Sequence, residues 1–191
     1  MKAVFFLVFI SLAGIAKPQE KKGFSFSEMD MRFGTDFNMN FNLDDFQVGT
    51  GMGVTDQRYK WIAMLNFDFR PYHKKIQIKE SNSFISQYFE QRYFLSLWLE
   101  KRFFELDLPK SDINFFAGIK NGWMFGNYRG IERSPESYFA FSPAVGICFV
   151  KKIAMFRIGL SYLDLHTVDI PKTRLVLSMT IFGEGKGGAV E

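Results

Sequence analysis

"MDMRFGTDFNMNFN", residues 29–42, sets a bulky or apolar side chain against a polar or tiny one from end to end. Met29, Met31, Phe33, Thr35, Phe37, Met39 and Phe41 fall on one side, and Asp30, Arg32, Gly34, Asp36, Asn38, Asn40 and Asn42 on the other. Successive side chains of a strand point to opposite faces, so the spacing predicts one long β-strand with a greasy face and a wet face. A greasy face turned inward would make a soluble barrel or sandwich. Turned outward, it would face lipid.

The alternation continues along the chain. "FQVGTGMGV" (46–54), "KWIAMLNFDFR" (60–70), "RYFLSLWLEKRFF" (92–104) and "INFFAGIKNGWMF" (113–125) all carry it. So do "YFAFSPAVGICFV" (138–150), "IAMFRIGLSY" (153–162) and "RLVLSMTIF" (174–182). With the opening stretch these predict eight strands and no helix between them.

Four features turn the greasy face outward. It is nearly uniform, with Thr35, Thr50, Lys101 and Asn121 as the exceptions, and it includes Met31, Phe33, Phe37, Leu97, Phe141, Ile158 and Leu177. The wet face is rich in small residues (Gly49, Gly51, Gly53, Gly118, Gly122, Ala140, Ala144, Gly146), which suit a narrow interior beside Phe94, Trp98 and Phe116. It also carries Asp30, Arg32, Asp36, Lys60, Asp68, Glu100, Arg102, Lys120 and Arg157. Charges of both signs in a lumen are expected to pair, because an unpaired buried charge is costly. Third, the opening strand is long enough to cross a bilayer when tilted. Fourth, long connections ("PYHKKIQIKESNSFISQ", "GNYRGIERSPES", "DLHTVDIPK") alternate with short turns ("TDQR", "DLPKSD", "KK"). Aromatic side chains at strand ends, among them Trp61, Tyr93, Trp123, Phe139, Phe149 and Phe182, are placed like interfacial girdles.

At 191 residues the chain has the size of one domain, and 24 Phe make it unusually aromatic. A formal charge of +4, dispersed along the chain, argues against nucleic acid as a partner. The start, "MKAVFFLVFISLAGIAKPQ", has a lysine, an apolar run from Ala3 to Ala16 and small residues placed for cleavage, which predicts a signal peptide over 1–16. A periplasmic segment (17–28), a barrel (29–182) and a Gly-rich tail (183–191) complete the expected organisation. One cysteine, Cys148, excludes an internal disulfide framework.

The pattern over 29–182 resembles the small eight-stranded outer-membrane β-barrels, of the kind of the OmpA transmembrane domain and OmpX, and the porin-family barrels common in Bacteroidetes-like bacteria. The resemblance implies a closed antiparallel up-and-down transmembrane barrel of all-β class, monomeric, in the outer membrane of a Gram-negative bacterium. It implies membrane lipids, lipopolysaccharide among them, as partners, and insertion by the barrel-assembly machinery. In that family the last strand carries the assembly signal and ends on an aromatic residue. "LVLSMTIF" is similar, although Phe182 is out of phase with Leu175, Leu177, Met179 and Ile181 and further residues follow.

Chemistry is sparse. Two histidines and one cysteine, without ligand spacing, give no metal site, and no cofactor is expected. "GTGMGV" has no helix pattern after it and reads as small lumenal residues rather than a phosphate cradle. Some barrels of this size modify lipid A with His, Ser and a carboxylate. His166, Asp164, Asp169 and Ser161 could be placed so, but the expected His-x-Ser pattern is absent. A narrow pore and a soluble lipocalin-like lipid carrier are the other competing readings. The loop that follows the third strand, with Arg70, Lys74 and Lys75, is a candidate for binding lipopolysaccharide phosphates or an external ligand. The sequence thus favours a non-enzymatic barrel with a largely plugged, charge-paired lumen.

Overall fold

The structure, a computed structural model, describes residues 31–56, 58–81, 84–108, 111–130, 137–165 and 170–183, with the backbone alone at 78–81, 84–86, 104–108 and 111. The expected signal peptide, the segment 17–28, Asp30, His166 with Asp169, and the tail after Gly183 lie outside the described residues.

Nine strands form: β1 (Met31–Phe41), β2 (Phe46–Asp56), β3 (Trp61–Phe69), β4 (Lys74–Ser81), β5 (Phe84–Leu108), β6 (Ser111–Arg129), β7 (Tyr138–Lys151), β8 (Ala154–Tyr162) and β9 (Thr173–Phe182). All pairings are antiparallel. β1 pairs with β2 on one side and β9 on the other, and β3 pairs with β5, which closes the sheet into a barrel. Eight strands make the wall, because β4 pairs with β5 alone.

The register fixes the shape. From Asp36 the chain of Cα partners runs through Gly51, Asn66, Ser96 and Gly122 to Ala140. The other way round it runs through Thr180 and Met155 to Val150. The two walks meet β7 ten positions apart, from 140 to 150. A shear of that size on eight strands tilts them about 40° and leaves an interior that side chains can fill.

The connection expected as an outer loop after the third strand is instead partly strand. Pro71 cannot donate to the ladder, so β3 stops at Phe69 and the chain resumes pairing at Lys74, opposite Glu90. β5 is 25 residues long and β6 is 19, so β4, β5 and β6 rise beyond the wall as a three-stranded ribbon. A small apolar cluster forms there, with Ile76, Tyr88, Phe94, Met124, Ala140, Leu163, Leu165 and Ile170 buried together. A second cluster, including Ile62, Trp98, Phe116, Met155 and Phe182, fills the half of the lumen nearer Met31 and Gly183, the described ends of the chain, called the terminal end below.

Phe182 corrects one expectation. Read as a girdle residue, it points inward and is 1% exposed, against the Tyr59 ring at 5.1 Å. The reason is its phase: Thr180 and Phe182 share the inner face, while Ile181 is exposed.

Candidate functional site

The barrel is inverted relative to a soluble protein. Phe33, Phe37, Leu97, Phe141, Ile158 and Met31 are exposed on the outside, Phe33 to 73%, and Leu177 is half-buried on the same side. Trp61, Trp123, Phe139 and Phe149 are also exposed. Inside lie polar and charged side chains, most of them more than nine-tenths buried. A soluble domain normally shows the opposite partition.

The interior charges fall into two groups. In the first, Arg157 on β8 holds Asp36 on β1 (Nη2 to Oδ1, 2.5 Å) and Glu100 on β5 (Nη1 to Oε2, 2.7 Å). Thr180 donates to the same Asp36 oxygen at 2.7 Å and also contacts Arg157. Glu100 further accepts from Trp98 Nε1 at 3.0 Å and pairs with Arg102 at 3.2 Å. One register step away Lys120 on β6 donates to Asp68 on β3 at 2.8 Å. Three cations thus face three carboxylates, an arrangement that offsets the cost of burying each. Small residues make the room: a Cβ on Gly49 would stand 2.0 Å from Asp68 Oδ1, and one on Gly118 would stand 2.4 Å from the Trp98 ring.

The second group sits at the ribbon end. Arg70, expected in a surface loop, is fully buried: its Nε meets Asp45 Oδ1 at 2.6 Å and its Nη1 meets Glu90 Oε2 at 3.3 Å. Its position as the last inward residue of the third stretch, just before the Pro71 break, puts it under the ribbon rather than on it. Arg174 holds the other Asp45 oxygen, and Arg92 meets Glu90 at 2.5 Å with its guanidinium over the Tyr128 and Tyr138 rings. Burial alone would raise the carboxyl pKa of Asp45, in the β1–β2 turn, but Arg70 and Arg174 beside it hold it below the ordinary range.

The other predicted site residues separate. Arg32 is half-buried near the terminal mouth and donates to the Tyr59 hydroxyl at 2.6 Å. Lys60 lies in the β2–β3 turn with its side chain exposed, away from the lumenal pairs, because the strand begins one residue later. Lys75 is exposed and Lys74 reaches the Asp44 carbonyl. Asp45, Glu90, Arg92 and Arg174 were not singled out from the sequence. Parity along β5 and β9 was the signal for Glu90, Arg92 and Arg174, whereas Asp45 sits in the β1–β2 turn, which parity does not orient.

Between the two charge groups a cavity of about 30 Å³ remains, lined by residues such as Asn38, Asn40, Lys120, Ser142 and Ser178. It has room for a water or two. Tyr59 closes the terminal mouth. Its φ of 53° is unusual for a bulky residue and turns the ring under Phe182, within cation–π range of Arg32 and Arg102. Among the described residues no group of His, Cys, Asp and Glu is arranged to hold a metal ion.

The class defined by this geometry is a closed eight-stranded antiparallel barrel with an apolar exterior and an ion-paired interior. No protein-family model and no curated protein sequence matches the chain. Among solved structures it is similar to a major outer membrane protein from Thermus thermophilus, with a TM-score of 0.53 and 12% identity over 80% of this chain and 99% of that one. It also matches Neisserial surface protein A (0.43, 9% identity, 79% of this chain and 94% of that one) and Ail, the attachment invasion locus protein of Yersinia pestis (0.34, 12%, 80% and 95%). The Thermus match establishes the shared barrel fold.

Proposed function

We propose that the chain is a bacterial outer-membrane protein whose barrel spans the bilayer, is plugged, and serves a non-enzymatic role at the ribbon end. The observation that carries this is the inverted partition: large apolar side chains circle the outside while ion pairs fill the inside. Water would leave that belt unfavourably exposed, and a hydrocarbon layer would cover it. Strand lengths of 9 to 11 residues in β1, β2, β3, β8 and β9 suit a tilted crossing. The fold shared with the Thermus outer membrane protein supports the same location.

The two charge groups and the roughly 30 Å³ void between them support a closed lumen rather than a diffusion path. At the rim, exposed Lys75 and Arg129 support contact with lipid phosphates, including those of lipopolysaccharide. Membrane fractionation with boiled and unboiled samples on a denaturing gel tests the reading. Recovery in the outer-membrane fraction with a heat-dependent change in migration is the expected result. A periplasmic soluble protein would overturn it. Current steps in planar bilayers would overturn the plugged lumen alone.

A further inference from the structure

On the outer wall, three neighbouring strands form a trough. At one level Phe37, Met179 and Phe156 are partners across β1, β9 and β8, and at the next level Met39, Leu177 and Ile158. The flanking residues Phe37, Met39, Phe156 and Ile158 are exposed, while Leu177 and Met179 between them are half-buried. β9 is therefore the floor and β1 and β8 carry the walls, about 10 Å apart, or two strand spacings. The groove is open to the outside, with a volume of about 630 Å³. Two residues further toward the termini, on the same outward face as Phe149, stands Lys151, followed by Lys152 in the β7–β8 turn; both are exposed.

We infer that this groove is a seat for one anionic glycerophospholipid, its acyl chain lying along β9 and its phosphate at Lys151 and Lys152. The inference rests on the membrane-spanning reading above and adds a specific lipid site to it. Charge complementarity selects the occupant. The trough is lined mainly by apolar side chains, and the cation pair stands one strand outside its β8 wall, level with its terminal end, where a headgroup of the leaflet on that side would meet it. A second copy of the chain would bring its own lysine pair against this one if it docked by the same face, which charge repulsion disfavours.

The test is native mass spectrometry of the full chain in detergent, titrated with palmitoyl-oleoyl phosphatidylglycerol or with the phosphatidylcholine of the same chains. Each sample is first checked for membrane recovery and heat-modifiability. The wild type is expected to hold one phosphatidylglycerol in preference to phosphatidylcholine. Met179→Trp, which fills the floor, should lose that adduct, while Leu97→Trp, a lipid-facing change on another strand, should keep it. Lys151→Glu with Lys152→Glu should weaken phosphatidylglycerol on the order of tenfold and spare phosphatidylcholine. Equal adducts in wild type and Met179→Trp, no preference between the lipids, or a dimer that Met179→Trp disperses would each overturn the site and leave the membrane reading standing. Failure of the wild type to reach the membrane would overturn both.

Discussion

Arg157 Nη1 lies 2.7 Å from Glu100 Oε2, joining β8 to β5 across the lumen although no backbone ladder links those strands. Glu100 is the hub of that contact, since Arg157, Arg102 and Trp98 all converge on its carboxylate. Removing it would leave Arg102 without a carboxylate and Arg157 with Asp36 alone.

Glu100→Ala is therefore expected to lower stability by about 3–5 kcal/mol. Thermal melting in detergent, followed by loss of the fast-migrating folded band, measures this. A double change, Glu100→Met with Arg102→Met, should recover part of the loss, because Arg102 is the cation left without a carboxylate while Arg157 keeps Asp36. A single mutant as stable as wild type would show that the pair does not hold the lumen.

Asp45 gives a pH dependence with a definite sign. Its folded pKa lies below the ordinary 3.8, so its contribution is fully present above that value and disappears as pH falls through the lower folded pKa. Melting curves between pH 7 and pH 2 should show a steep acid limb below about pH 4 that Asp45→Asn makes shallower. Parallel limbs in the two proteins would place the acid sensitivity elsewhere.

Trp61 and Lys101 are partners on the outer face, with the ammonium 4.8 Å from the indole ring centre. Because both are exposed, Lys101→Ala should cost only about 0.5–1 kcal/mol. The same substitution should shift the Trp61 fluorescence, read in a variant lacking the other two tryptophans. A large destabilisation would contradict an exposed pair.

Gly118 tests how tightly the interior is filled. A methyl there would stand 2.4 Å from the Trp98 ring, whose Nε1 donates to Glu100. Gly118→Ala should destabilise by about 1–3 kcal/mol through that displaced indole. Gly126→Ala, where the nearest atom is 3.2 Å away on the Tyr128 ring, should be far milder. Equal melting points for the two variants would mean that the lumen yields more than its packing suggests.

Much of this architecture was legible in period-two patterning. The parity that separates Met31, Phe33 and Phe37 from Asp36 and Asn38 predicts both faces of β1, and the structure has the same two faces. Partner choice was not legible, because it depends on register and shear: Asp36 and Thr180 are 144 positions apart yet share a hydrogen bond. Arg70 was misread because Pro71 directly after it suggests a turn, while the inward phase of β3 extends one residue further than the strand itself. β4 was missed for a related reason. "KKIQIKES" does alternate, but its lysines made it look like a solvated loop.

The ribbon formed by β4, β5 and β6 contains a change of solvent grammar. Along β6, Trp123 and Phe125 point outward, and two residues later Asn127 and then Arg129 take the same side. On β4 the inward residue is Ile76 and its neighbours Lys75 and Gln77 face out, as in an ordinary water-soluble sheet. One continuous strand thus obeys oil rules for part of its length and water rules for the rest. In the bilayer proposed above, the switch between Phe125 and Asn127 would act as a depth stop: sinking further would drag amides and guanidiniums into hydrocarbon, and rising would strip lipid from the aromatic ring above which they stand. In that reading the barrel would carry its own waterline, written in the side-chain types along one face of β6.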